Sequence, residues 1–261
     1  MRIVVKIGTS TLAHPTGMLN VRHAEALVKV LSDLKNAGHE LVLVSSGAIG
    51  MGVGKLMLPG RPADMPTKQA AAAVGQCELM YTYDKLFAEY NHTVAQVLLT
   101  GEDIHNELRR RNMRNTITRL LELKALPIIN ENDAVATDEI GVENTIGEND
   151  TLSAIVAKLV GAELLVLLSD IDGLYTADPR RDPEARLIPV VESITPEVEA
   201  LAGGSGSSLG SGGMATKLKA ARIICEAGGD MIIANGEEPE KLYDMVEGKP
   251  VGTRFMGRRQ K

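Results

Sequence analysis

Six short runs of apolar and β-branched residues recur along the chain: IVVKI (3–7), ELVLVSS (40–46), TVAQVLL (93–99), LPIIN (126–130), ELLVLLS (163–169) and DMIIAN (230–235). Each is nearly continuous in its apolar character rather than alternating, the pattern of a strand covered on both faces. Helical patterns lie between them near 20–37, 67–90, 106–124, 150–160 and 214–228. Strand and helix in turn predict an α/β fold, a three-layer αβα sandwich around a mainly parallel central sheet. A length of 261 residues suits one large α/β domain or two small ones.

Two stretches break the rhythm. AVATDEIGVENTIGEND (134–150) has short β-like pieces around Gly141 and Gly147, which suggests a hairpin over the strand ends. AGGSGSSLGSGG (202–213) has the composition of a flexible linker. Helical pattern resumes directly after it and the remaining chain is too short for a domain, so a loop within one domain is the better reading.

Lys plus Arg is 28 against 34 for Asp plus Glu, a net charge of −6 that argues against a dedicated nucleic-acid binder. Cys77 and Cys225 are far apart with no metal-ligand spacing. They read as buried, reduced thiols of a cytoplasmic protein. The N-terminus lacks the apolar core of a signal peptide. The longest apolar runs are too short to span a bilayer, so no membrane role is expected.

Ligands of open parallel sheets bind beyond the carboxyl ends of the strands, and the distinctive loops lie there. Lys6 closes the first run, where an unpaired ammonium would be costly to bury. It is either an edge lysine reaching water or a cation held to meet an anion. Ser46 and Gly47 follow the second run, and small residues there let backbone N–H groups approach a ligand. The continuation GMGVGK (50–55) matches neither G-x-G-x-x-G nor a P-loop, since Lys55 precedes Leu56.

Asn130, Glu131, Asn132 and Asp133 follow the fourth run, and Glu148, Asn149 and Asp150 precede a helix. Asn149 or Asp150 as a helix cap is the bland reading. Carboxylates and amides in two such clusters also suit an amino acid, ammonium to carboxylate and carboxylate to amide, or else a metal ion. Ser169, Asp170 and Tyr175 beside the Asp172-Gly173 turn have the placing of a nucleotide pocket.

The stretch GSGGMATK (210–217) joins flexible glycines to a helix start near Met214. That helix N-terminus favours an anion, and Lys217, one turn in, leans back toward it. Lys6 would supply the other half of the grip. The basic run ELRRRNMR (107–114) reads as a solvated helix face or subunit contact ahead of an RNA surface. The five histidines form no ligand spacing.

With these pieces the chain resembles the amino acid kinase family, and within it the glutamate 5-kinases. VVKIGTSTL (4–12), LVSSGAIGMG (43–52), PIINENDAV (127–135), GENDTLSA (147–154), LLSDIDGLYTADPR (167–180) and GSGGMATKLKAA (210–221) carry the resemblance across essentially the whole chain. The Lys-Ile-Gly-Thr-Ser opening differs from the Lys-x-Gly-Gly of acetylglutamate kinase and other relatives. Ser169 stands where a threonine is common and keeps the hydroxyl.

The resemblance implies a single amino acid kinase domain over 1–261, its N-terminal part binding the amino acid and roughly 160–261 the nucleotide. It implies transfer of the ATP γ-phosphoryl group to the γ-carboxylate of L-glutamate, the first step of proline biosynthesis. By motif match Lys6 and Lys217 would stabilise the transferring group and Asp150 would orient them. Ser46, Asp133 and Asn149 would bind glutamate. Ser169, Asp170, Ser211, Gly212, Gly213, Met214, Ala215, Thr216 and Lys217 would bind ATP with Mg²⁺, with no metal ligand expected from the protein itself.

The same resemblance suggests proline as feedback inhibitor, coupling to a glutamyl phosphate reductase and a homo-oligomer. Many members carry a C-terminal PUA domain, whereas this sequence ends at Gln260-Lys261 and is expected to lack it. Another carboxylate or carbamate kinase, and a non-catalytic amino-acid sensor, remain as alternatives.

Overall fold

All six apolar runs become strands of one sheet. A computed structural model describes residues 1–14, 16, 18–135, 149–202 and 213–258. Within it lie β1 (Arg2–Ile7), β2 (Glu40–Ser45), β3 (Val94–Leu99), β4 (Leu126–Glu131), β5 (Leu164–Ser169), β6 (Val190–Val191), β7 (Asp230–Asn235) and β8 (Thr253–Phe255). Their order is β3-β4-β2-β1-β5-β7-β8-β6, and the only antiparallel pairing described is β7 with β8. Parallel pairing brings Ser45, Glu131, Ser169 and Asn235 to the same edge as Ile7.

Strand alternation sorts the buried residues into two layers. Ile3, Val5, Ile7, Leu43, Val166 and Leu168 pack with Leu27 and Leu31 of α2 (Val21–Asn36) and with Leu79, Tyr83 and Phe87 of α4 (Met65–Ala88). Val4, Val42, Val44, Leu165 and Leu167 face the opposite way. They pack with Met113 and Ile117 of α6 (Glu107–Glu122), Leu152 and Val156 of α7 (Asn149–Val160), and Leu218 and Ile224 of α9 (Met214–Glu226). Lys6 is in register with Val44 and Leu167, so its side chain belongs to this second layer.

The glycine-rich GAIGMGVGK stretch forms α3 (Ala48–Lys55), entered through Gly47 at φ +104°, a left-handed conformation that glycine adopts freely. Two glycines there have a packing role. A Cβ on Gly75 of α4 would overlap the Ala48 carbonyl oxygen, and one on Gly52 would overlap the Ala71 carbonyl oxygen. The helices therefore lie backbone against backbone. Gly75→Ala is expected to cost about 3 kcal/mol, the upper end for overpacking, because the clash is with main chain that has no rotamer to escape into. Urea unfolding checks this, and an unchanged midpoint would show that the helices can separate freely.

Several short elements escaped the reading of the sequence: α1 (Thr9–Leu12), α3, α5 (Gly101–His105), α8 (Pro196–Leu201), α10 (Lys241–Val246), β6 and β8. Cys77 is a correction too, since it is exposed whereas Cys225 is buried. It points away from the packed face of α4 on which Gly75, Gln76 and Leu79 are buried. The hairpin expected over 134–150 and the glycine-rich stretch 202–213 fall largely outside the described residues. No helix among the described residues is long and apolar enough to cross a membrane.

Candidate active site

At the carboxyl edge of the sheet, three charged side chains meet under the second layer. Lys6, Asp150 and Lys217 are 9%, 2% and 4% exposed. Lys6 Nζ lies 2.7 Å from Asp150 Oδ1, and Lys217 Nζ donates to Asp150 Oδ2 at 3.0 Å. Asp150 takes both ammonium groups on one carboxylate, and charges held this far from water need partners of opposite sign. Burial would raise the Asp150 pKa, but the charges and hydrogen bonds of Lys6 and Lys217 prevail and hold it below the usual carboxylate range.

The surroundings favour an anion. Gly8 has no side chain where a Cβ would stand 3.6 Å from Lys6 Nζ. Helix α9 begins at Gly213, which gives no side-chain cap. Thr216 and Lys217 N–H groups bond to the Gly213 carbonyl at 3.1 and 3.4 Å, so those of Met214 and Ala215 precede the first helical bond. Helix α3 likewise starts at an uncapped glycine, Gly47. By contrast α2, α4 and α6 are capped by Asn20, Asp64 and Asn106 side chains. Glycine caps leave N–H groups and the positive helix end available to a ligand.

Beside the lysines is a chain of amides. Asn149, directly before Asp150, donates from Nδ2 to Ser46 Oγ at 2.7 Å and to Asn130 Oδ1 at 3.1 Å. Asn130 Nδ2 in turn donates to Gln76 Oε1 at 2.9 Å. Below them the buried Tyr83 hydroxyl and Ser45 Oγ are 2.9 Å apart, and burial pushes the phenol pKa up. Asp133 borders an adjoining cleft of about 420 Å³ with Gln76, Ala48, Glu131 and Asn132. The structure thus joins Ser46 to Asn149 and sets Asp133 nearby.

The third group lies at the ends of β5 and β7. Ser169 Oγ donates to Asp170 Oδ1 at 3.0 Å, and the Gly236 N–H donates to the Ser169 carbonyl at 2.8 Å. Asp172 accepts from Asn235 Nδ2 at 3.0 Å and Tyr175 OH at 2.9 Å, bonds that hold its carboxyl below its ordinary value. Since β5 pairs with β1, Ser169 lies at the same edge as Lys6. Gly213, Met214, Ala215, Thr216 and Lys217 form the start of α9, while Ser211 and Gly212 lie outside the described residues.

Gln76 was not singled out from sequence, and Asn130 only as part of the Asn130–Asp133 cluster that suited an amino acid. Asn130 stands within the NEND cluster and had a signal. Gln76, in the helical run AAAVGQCEL, had none. Away from the site, Arg110, Arg111 and Arg114 are exposed and line a recess of about 150 Å³ with Glu107 and Leu159.

Comparison with known proteins gives the family. The amino acid kinase family model matches residues 1–235. A glutamate 5-kinase of Clostridium tetani is 57% identical over 253 residues, covering 97% of this chain and 93% of that protein. One from Clostridium perfringens is 53% identical, covering 99% and 96%. Among solved structures, carbamate kinase from Giardia lamblia bound to AMP-PNP superposes with a TM-score of 0.68 at 15% identity, over 98% of each chain. An isopentenyl phosphate kinase product complex of T. acidophilum gives 0.63 at 18% identity, over 98% of this chain and 100% of that one. At such identities these two speak for the fold alone. With its fold, its edge of paired lysines and amides, and relatives matched along nearly their whole length, the chain belongs to the amino acid kinase family and, within it, to the glutamate 5-kinases.

Proposed function

We propose that this chain transfers the γ-phosphoryl group of ATP to the γ-carboxylate of L-glutamate, giving L-glutamyl 5-phosphate, the first step of proline biosynthesis. The observation that carries the proposal is the start of α7. Consecutive residues there serve two clusters: Asn149 binds into the Ser46–Asn130 group and Asp150 sits between Lys6 and Lys217.

A free glutamate side chain has a pKa of about 4.3, so the acceptor is already an ionised nucleophile at neutral pH. No general base is needed. A carboxylate oxygen forms a bond to the γ-phosphorus while the bond from that phosphorus to the β,γ-bridging oxygen breaks, and ADP leaves. The difficulty is bringing an anion against a polyphosphate, which calls for positioning and fixed positive charge.

Lys6 and Lys217 supply that charge, and Asp150 holds their ammonium groups together. Ser46, Asp133 and Asn149 position glutamate. Ser169, Asp170 and the 211–217 stretch hold ATP. In this reading the N-terminal part serves the amino acid and roughly 160–261 the nucleotide. Among the described residues no group of three or more His, Cys, Asp or Glu could hold a metal ion, and both Asp150 oxygens face ammonium groups. These residues fit Mg²⁺ carried by the nucleotide phosphates, where it would neutralise phosphate charge. Proline as inhibitor at the glutamate cleft, a reductase consuming the acyl phosphate, assembly as a homo-oligomer and a cytoplasmic setting complete the proposal.

An ATP-dependent hydroxamate assay tests it, because hydroxylamine traps acyl phosphates. Product from L-glutamate, and none from N-acetylglutamate or L-aspartate, is the expected result. Product from one of the others alone would reassign the acceptor. No product from any, with glutamate still bound, would make the chain a sensor.

A further inference from the structure

The amide chain has a polarity that can be settled without choosing which end of any amide is oxygen. The backbone N–H of Glu131 can only donate, and it points at Asn130 Oδ1 at 2.9 Å. That fixes the Asn130 amide, an orientation otherwise inferred from the surrounding network. Its Nδ2 therefore faces Gln76 at 2.9 Å, and the Gln76 atom that accepts is Oε1. The other end of Gln76 is thereby a donor. Gln76 is 8% exposed, and its buried Nε2 has no hydrogen-bond partner among the described residues. The residue forms part of the wall of the 420 Å³ cleft shared with Glu131 and Asp133.

A buried N–H group without an acceptor is destabilising, so such groups are uncommon in native structures. An acceptor that enters the cleft, whose wall Gln76 helps to form, would answer it. Two carboxylates of the protein, Glu131 and Asp133, already border that cleft and suit an ammonium group. An anionic oxygen on the same molecule needs a donor on the opposite side. We propose that Gln76 is a specificity-determining residue of the acceptor site, whose Nε2 donates to the α-carboxylate of the amino acid while its Oε1 holds Asn130 in place. The proposal rests on the acceptor being glutamate. It explains why an uncharged amide, rather than a third carboxylate or an apolar residue, stands at this buried point of α4.

Gln76→Glu tests the donor end alone. An oxygen remains to accept from Asn130 Nδ2, but the free N–H₂ becomes a carboxylate oxygen facing the ligand's own. We expect KM for L-glutamate to rise roughly 100-fold, as for loss of a hydrogen bond to a charged group, with KM for ATP unchanged. Gln76→Met, of similar volume, removes both ends and serves if the buried charge prevents folding. It should raise the glutamate KM roughly 10-fold or more. 4-Aminobutyrate, which lacks the α-carboxylate, should inhibit Gln76→Glu at least as well as wild type. Unchanged glutamate KM in both variants, equal rises in KM for glutamate and ATP, or 4-aminobutyrate inhibition weakened as much as glutamate binding would each overturn the inference. Failure of the glutamate reading itself would show separately, as wild-type protein making no hydroxamate from glutamate.

Discussion

Asp150→Asn is expected to destabilise the chain by about 3–5 kcal/mol, the range for removing one partner of a buried charge group, and to abolish most turnover. Asparagine can accept from one of the two lysines, but its Nδ2 then faces the other donor to donor. Lys6 and Lys217, 9% and 4% exposed, lose the carboxylate they share. The pH dependence has a definite sign. The folded pKa of Asp150 is depressed, so its stabilisation is complete above the unfolded value of about 4 and is lost as pH falls through the folded value. Urea midpoints of the wild-type chain should therefore drop in acid more steeply than those of Asp150→Asn. The combined replacement Lys6→Met, Asp150→Leu and Lys217→Met should restore stability to near the wild-type level while leaving no activity, because apolar residues need no countercharge. A triple variant as unstable as Asp150→Asn would show that the loss does not come from uncompensated charge.

Lys217→Ala separates chemistry from folding more cleanly. Asp150 keeps Lys6 at 2.7 Å, so the remaining pair is balanced and the chain should fold. Turnover should fall about 1,000-fold, comparable to removal of a cation that stabilises the transferring phosphoryl group. The glutamate KM should change little, since Ser46, Asn149 and Asp133, the residues proposed to position glutamate, are left in place. Lys217→Arg keeps the charge but spreads it over a planar fork, and should recover only part of the rate. Single-turnover measurements isolate the chemical step. Near-normal turnover of Lys217→Ala would remove this lysine from the mechanism.

How much of this was legible in sequence follows from which forces are local. The strands were readable because burial on both faces forces continuous apolar runs, and Lys6 stood out as the exception within one of them. Its layer, however, depends on register with Val44 and Leu167, which no single strand reveals. Ser46 and Asn149 lay in recognisable loops, yet their mutual hydrogen bond needs β2 and α7 in place. The glycines of α3 match neither a P-loop nor a dinucleotide motif, and they form a helix. Their packing against Ala71 and Ala48 was hidden, because close helix contact is a property of the pair. Gln76 was invisible for the same reason, one polar residue on a helix until α4 meets β4. The short β8 has too few residues to show a period and owes its place to pairing with β7.

The charge cluster at the sheet edge also bears on synthesis. Residues 6, 150 and 217 come from the first strand, a helix past the midpoint and a helix near the end. A nascent chain thus carries Lys6 and most of the acceptor cleft on the ribosome long before Lys217 exists. The three charges can meet only after residue 217 has left the exit tunnel and α9 has docked, so this cluster is among the last features of the sheet edge to assemble.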